Sequence, residues 1–156
     1  MLNIGIIGAG RIGKVHLESI SYHVKNAVVT AIADPFMNDE TKAFCEGFGV
    51  EKIYTDYKKI LEDKEIDAVL VCSSTDTHAD ISIEAAKAGK HIFCEKPVDL
   101  TPAKVQAVID KPTFGYTDWN NEGLQRIIAQ AEEIVLIGLP DETLIHEEKY
   151  TGSYVI

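Results

Sequence analysis

Several features that define particular protein classes are scarce or absent in this 156-residue sequence. Its three cysteines, Cys45, Cys72 and Cys94, form no CxxC pair, so the sequence indicates neither a disulfide framework nor a zinc site. No apolar run approaches the roughly 18 residues of a membrane-spanning helix, and the chain does not open with a basic segment followed by an apolar run. We therefore expect reduced thiols, no metal and a cytoplasmic location.

Positive charge is also scarce. Lys and Arg number 15 against 25 Asp and Glu, which gives a net charge of −10. Phosphate backbones and anionic lipids repel such a chain, so we expect neither nucleic acid nor a membrane surface as a partner. The apolar fraction of 46% and the length suffice for one domain with its own core.

Apolar runs alternate along the chain with segments of helical periodicity. This βαβα order predicts an α/β fold with a doubly wound parallel sheet. The expected strands are 2–7, 28–33, 53–54, 68–72, 91–94 and, after residue 110, 134–139. The expected helices include 12–23, 38–48, 57–61, 77–88 and one that opens at Thr101-Pro102.

A glycine-rich turn joins the first predicted strand to the first predicted helix. Residues 8–13 read GAGRIG, which is the GxGxxG pattern in the context that its mechanism requires. Gly8 permits the tight turn, Gly10 lets the backbone approach a pyrophosphate, and Gly13 lets the helix pack closely on the strand. The free N–H groups of the helix N-terminus favour the phosphates.

An acidic residue follows the second predicted strand. Asp34 lies 21 positions after Gly13, where a carboxylate accepts hydrogen bonds from the adenosine ribose hydroxyls. The next residues, Pro35 and Phe36, offer no arginine for a 2′-phosphate. The sequence therefore favours NAD over NADP as the cofactor.

Two further segments carry a family resemblance. VLVCSSTDTH at 69–78 and HIFCEKP at 91–97 each end a predicted strand, and His16 follows the glycine turn. Together with GAGRIG they resemble the glucose–fructose oxidoreductase/inositol dehydrogenase (Gfo/Idh/MocA) family, and the inositol 2-dehydrogenase branch in particular. The resemblance covers residues 1–110. It implies a Rossmann fold and an NAD-dependent oxidation of a polyol or sugar C–OH group.

The resemblance also implies roles for individual residues. The glycine turn would hold the pyrophosphate, Asp34 the adenosine ribose and Glu95 the nicotinamide ribose, with Lys96 beside the substrate as the catalytic residue. A lysine suits this chemistry because its ammonium group stabilises a developing alkoxide or relays the hydroxyl proton. The implied cofactor site comprises Gly8, Gly10, Arg11, Ile12, Gly13, Asp34, Ser73, Ser74, Thr75, His78, Glu95, Lys96 and Pro97.

Other chemically active side chains have simpler interpretations. We expect His16 to be a packing or hydrogen-bonding residue of the first helix and His91 to be structural. Cys72 and Cys94 are expected at buried strand ends as small core residues rather than nucleophiles.

The resemblance weakens towards the C-terminus. Family members are well over twice as long, and their second, antiparallel-sheet domain supplies a catalytic Asp and His on one helix, with three residues between them. We expect this chain to lack that domain, because Asp141 and His146 have the wrong spacing and follow Pro140. We expect a Rossmann domain at 1–140 and a hairpin-like tail at 141–156.

Two classes of function follow from these features. The first is an oxidoreductase of the inositol or sugar dehydrogenase type, truncated to its cofactor domain. The second is a non-catalytic NAD-binding or assembly module, in which the C-terminal tail pairs with another subunit to form a homo-oligomer. An active site assembled across a homodimer is a third interpretation.

Overall fold

Five short apolar segments pair side by side as one parallel sheet in the computed structural model, which describes residues 1–109. The strand order is β3-β2-β1-β4-β5. The strands are β1 (Leu2–Ile7), β2 (Ala27–Ala33), β3 (Lys52–Tyr54), β4 (Ala68–Val71) and β5 (His91–Cys94). The helices are α1 (Arg11–His23), α2 (Asp39–Gly47), α3 (Lys58–Glu62), α4 (Thr75–Lys87) and α5 (Pro102–Ile109).

The central strands are apolar because helices cover both faces of the sheet. All four residues of β4 are buried, as are the last four of β1. Successive strand residues point to opposite faces, so Ile6 packs with Leu17 of α1, and Ile7 packs with the cluster that contains Ile81 of α4. The sheet is therefore doubly wound, as the sequence predicts.

The strand order reverses beside β1. The chain moves outward from β1 through β2 to β3, then returns across the sheet to place β4 on the other side of β1. Such a switch point leaves a crevice at the carboxyl ends of β1 and β4, where open α/β sheets bind ligands. The loops after β1, β2, β4 and β5 all lie at this edge.

The predicted elements before residue 110 are confirmed with small shifts of their ends. The largest shift is at α4, which begins at Thr75 rather than at Thr77. The Thr77 amide and hydroxyl both donate to the carbonyl oxygen of Ser74, which makes Thr77 part of the first helical turn. The C-cap of this helix is Ala88 rather than the predicted Gly89, which follows it with φ of 74°, the left-handed conformation that glycine commonly adopts just after a helix.

The strand predicted at 134–139, the domain end at 140 and the tail at 141–156 lie outside the described residues. Among the helices within 1–109, none combines the length and the apolar character that a membrane crossing requires.

Candidate cofactor and active site

Protein packing requires two of the three glycines in the turn after β1. Gly8 has φ of 103°, and a Cβ added there would lie 2.6 Å from the carbonyl group of Cys72, which directly follows β4. A Cβ on Gly13 would overlap the carbonyl oxygen of Gly8. The turn therefore folds tightly against β4, and α1 begins in direct contact with it.

Gly10 differs from these two glycines because no contact within the protein requires a glycine at this position. Its backbone is extended, with φ of −70°, and no protein atom lies within 4 Å of an added Cβ. The free space is at the N-terminus of α1, where Arg11 is exposed and Ile12 is half-buried. A ligand that approaches the backbone at this point accounts for a glycine that neither the fold nor the packing demands.

The N-terminus of α1 is open to an anion. No side chain caps it, and its first turn contains no acidic residue. The first N–H groups of a helix have no partners within the helix, and the helix dipole adds a partial positive charge. The open space at Gly10 and this uncapped terminus fit the pyrophosphate of a dinucleotide.

Asp34 joins the end of β2 to the glycine turn. Its Oδ2 accepts a hydrogen bond from the Ala9 amide at 2.7 Å, and its Oδ1 accepts one from the Phe36 amide at 2.8 Å. Each carboxylate oxygen retains a further lone pair for a ribose hydroxyl. The adjacent Phe36 is 87% exposed, which sequence reasoning did not single out as a feature of the site.

The loop after β4 contains the serine-rich part of the predicted site. Ser74 is the N-cap residue of α4, and Thr75 is the first residue of that helix. The Ser73 hydroxyl lies 2.7 Å from the Thr77 hydroxyl. His78, one turn into the helix, is 2% exposed, and its ring contacts the carbonyl oxygens of Ser73 and Pro97.

The segment after β5 contains the candidate catalytic lysine. Glu95 is 6% exposed, and its Oε1 lies 2.5 Å from Nε2 of His16 on α1. The Lys96 amide donates to Glu95 Oε2 at 3.2 Å, and the Lys96 side chain is exposed. The Lys96–Pro97 peptide bond is cis. The catalytic residue proposed from the sequence thus follows a carboxylate that is fixed to α1, the helix that begins at the glycine turn.

The structure brings the predicted site residues together at one edge of the sheet. Direct contacts link Asp34 to the glycine turn, Glu95 to α1, and His78 to the loops after β4 and β5. The sequence predicts that His16 packs or forms a hydrogen bond, but it does not identify the partner. The helical spacing of His16 from the buried Gly13 and Ile20 was the available signal, because it places His16 towards the sheet.

His91, Cys72 and Cys94 are also candidates for functional residues in the sequence. His91 is exposed at the start of β5. Cys72 is 4% exposed, and burial raises the pKa of its thiol, so it is not a thiolate nucleophile. Cys94 is only half-buried, which is less than the sequence analysis expected.

A glycine-rich turn, an open helix N-terminus and an acidic residue at the end of β2 surround the switch point of a parallel sheet. These features define a dinucleotide-binding domain of the Rossmann type. The family model for Gfo/Idh/MocA proteins, described as "Oxidoreductase family, NAD-binding Rossmann fold", matches residues 2–112. The chain belongs to this oxidoreductase family, and NAD, the cofactor predicted from the sequence, is the cofactor of the matched domain.

Inositol dehydrogenases are among the proteins that are similar to this chain. The myo-inositol 2-dehydrogenase of Thermotoga maritima is 46% identical over 110 residues, which cover 70% of this chain and 32% of that enzyme. The inositol 2-dehydrogenase of Salmonella typhimurium is 36% identical over an alignment that covers 99% of this chain and 47% of that enzyme. This second similarity extends past residue 110, where the sequence analysis ended the family resemblance.

A solved structure of an inositol dehydrogenase is similar to this chain in its fold as well as in its sequence. The crystal structure of myo-inositol dehydrogenase from Lactobacillus casei in complex with NAD(H) and myo-inositol matches with a TM-score of 0.66 at 30% identity. The match covers 71% of this chain and 33% of that one. The chain thus spans between about a third and a half of the length of these relatives.

Proposed function

We propose that this chain supplies the cofactor-binding part and the catalytic lysine of an NAD-dependent dehydrogenase that oxidises a C–OH group of a polyol or sugar, with inositols as the favoured class. One observation carries the proposal: the Glu95–Lys96–Pro97 segment lies at the same sheet edge as the phosphate-binding turn. The 2.5 Å contact between Glu95 and His16 fixes it to the helix that begins at that turn.

Most of the site residues bind the cofactor, and Lys96 interacts with the hydroxyl group of the substrate. The open space at Gly10 and the N-terminus of α1 receive the pyrophosphate, while Asp34 receives the hydroxyls of the adenosine ribose. Ser73, Ser74 and Thr75 border the nicotinamide side of the crevice. When bound, NAD supplies the hydride acceptor for this reaction.

Lys96 acts on the alcohol. Its ammonium group donates a hydrogen bond to the substrate oxygen and so stabilises the negative charge that develops as the hydroxyl proton passes to solvent water, to which Lys96 is exposed. The buried Glu95 carboxylate accepts from the Lys96 amide, which fixes the backbone from which the side chain extends. The names of the similar enzymes favour an inositol as the substrate.

Cofactor binding is tested first, by calorimetric titration of the purified chain with NAD and with NADP. We expect NAD to bind more tightly than NADP, and we expect Asp34→Ala to weaken NAD because it removes the ribose partner. Glu51→Ala, which removes an exposed carboxylate outside the crevice, is the matched control. NAD affinity that is unchanged in Asp34→Ala would contradict the assignment of the ribose site.

Hydride transfer is tested with the same chain and myo-inositol, followed by NADH absorbance. We expect polyol-dependent NADH formation that Lys96→Ala abolishes, with NAD affinity retained. Lys87→Ala, at an exposed residue that ends α4, is the control for the loss of one positive charge. NADH formation that survives Lys96→Ala would exclude Lys96 as the catalytic residue. NAD binding without turnover would favour the non-catalytic module.

A further inference from the structure

The side chain of His78 bridges two loops of the crevice. Its Nδ1 lies 2.9 Å from the carbonyl oxygen of Pro97, and its Nε2 lies 2.8 Å from the carbonyl oxygen of Ser73. Both partners only accept hydrogen bonds, and a neutral imidazole has a single N–H group. Only an imidazolium, with a proton on each nitrogen, donates both bonds. The side chain is 2% exposed, so water does not replace a lost donor.

We propose that His78 is a positioning residue, held as an imidazolium that ties the loop after β4 to the loop after β5. The Ser73 carbonyl directly precedes the start of α4, and the Pro97 carbonyl follows the candidate catalytic Lys96. The proposal rests on the proposed function in one respect: these two loops carry the residues assigned there to the nicotinamide side and to the substrate.

The groups around His78 leave this cation without a carboxylate partner among the contacts that the structure shows for it. The titratable group that faces it is the Cys94 thiol on β5. Glu95, the next residue of that segment, is held by His16 of α1. Asp80, on the same helix as His78, pairs with Lys104 of α5 at 3.0 Å. The positive charge is therefore held by carbonyl dipoles and by the sulfur.

These contacts determine whether the bridge stabilises the fold more at low pH or at high pH. Burial is the largest single influence and lowers the pKa of His78, but the contacts with Cys94 and with the carbonyls of Pro97 and Ser73 together raise it to about 9. Because the folded-state pKa lies above the value of about 6.5 for a free histidine, the bridge stabilises the fold fully below about pH 6.5. That stabilisation is lost as the pH rises through about 9.

Loss of the second proton breaks one half of the bridge. The nitrogen that loses its proton then faces a carbonyl oxygen, so two lone pairs repel each other across the former hydrogen bond. The segment that contains Lys96 is no longer fixed to the loop after β4. We therefore expect the same protonation step to change the backbone after Ser73 and after Pro97.

The decisive measurement is ¹⁵N NMR of the histidine rings and backbone amides of the intact chain without cofactor, across an alkaline pH titration. We expect both ring nitrogens of His78 to be protonated at neutral pH and to titrate with a midpoint near 9. The amides of Ser74 and Val98, which follow the two bonded carbonyls, are expected to shift with the same midpoint. The exposed His23 and His91 are internal references.

Either of two results overturns the proposal. One is a single-tautomer, neutral His78 ring at neutral pH. The other is a pair of amides at Ser74 and Val98 that do not follow the titration of His78. Because no cofactor is present, these outcomes are separate from any failure of NAD to bind.

The effect on cofactor binding is measured with His78→Gln, whose single amide nitrogen cannot reach both carbonyls. We expect about a tenfold loss of NAD affinity at neutral pH and no further loss on going to alkaline pH, where the wild-type affinity falls. His91→Gln is the matched control and is expected to bind NAD as the wild type does. Wild-type NAD affinity in His78→Gln would overturn the positioning role. If this variant does not fold, the titration of the wild-type chain decides.

Discussion

Two glycines of the turn after β1 are expected to respond in opposite ways to the same added methyl group. An added Cβ on Gly10 meets no protein atom within 4 Å, whereas one on Gly13 overlaps the carbonyl oxygen of Gly8. The Gly10→Ala chain should therefore fold and lose its cofactor. The Gly13→Ala chain should lose stability, because backbone atoms of the turn and of α1 must move apart.

The contacts set the expected magnitudes. At Gly10 the fold loses only the preference of a helix N-cap for glycine over alanine, which is about 0.5–1 kcal/mol. The methyl group then occupies the space assigned to the pyrophosphate, and overpacking of this kind costs about 1–3 kcal/mol, or roughly 5- to 150-fold in Kd. At Gly13 the obstacle is backbone rather than a flexible side chain, so we expect a loss of about 3 kcal/mol and a fall in Tm of roughly 10 °C.

Thermal unfolding measures the stability of each variant, and calorimetric titration measures its affinity for NAD. Gly47→Ala is the control, because Gly47 ends α2, has open space around an added Cβ and has no positive φ. This control is expected to be slightly more stable than the wild type and to bind NAD unchanged. NAD affinity within twofold of wild type in Gly10→Ala, or wild-type stability in Gly13→Ala, would refute the reasoning.

Further predictions concern groups that hold the fold around the site. Asp34→Asn keeps one acceptor for two backbone N–H groups, so denaturant unfolding should show a loss of about 1–2 kcal/mol. Lys90→Met leaves two buried carbonyls without the ammonium donor and should cost about 2–4 kcal/mol, whereas the exposed control Lys87→Met should stay within about 0.5 kcal/mol. Burial and the contact with Glu84 raise the pKa of Tyr57 to about 12, so Tyr57→Phe should remove a step near pH 12 from a phenolate absorbance titration.

Local sequence patterns predict the parts of the site that lie within one strand–turn–helix unit. A strand followed by GxGxxG fixes the turn, since Gly8 and Gly13 are each required by contacts within a few residues or with the adjacent strand. Asp34 is equally local, because it directly follows the strand that pairs with β1. The alternation of strands and helices then predicts a parallel sheet whose strand ends share one edge.

Contacts between units could not be predicted in this way. His16 and Glu95 are 79 residues apart, and their pairing depends on how α1 lies over the end of β5. The bridge from His78 could be predicted only from the conformations of two loops. Its partners are backbone carbonyl groups, which every residue has, so no residue type indicates them. The early start of α4 has a similar origin, since it depends on hydrogen bonds of Thr77 to the Ser74 carbonyl.

These long-range contacts fix the positions of the structural elements that surround the crevice. The glycine turn is held on one side by Asp34 at the end of β2, and α1 is held on the other side by Glu95 after β5. A ligand that binds at the N-terminus of α1 therefore meets a helix whose position is already fixed relative to the ends of both β2 and β5. Because Glu95 also accepts from the Lys96 amide, the same contact that positions α1 positions the backbone of the candidate catalytic lysine. If the proposed function is right, preorganisation of this kind would let the cofactor bind without a separate step that orders these elements.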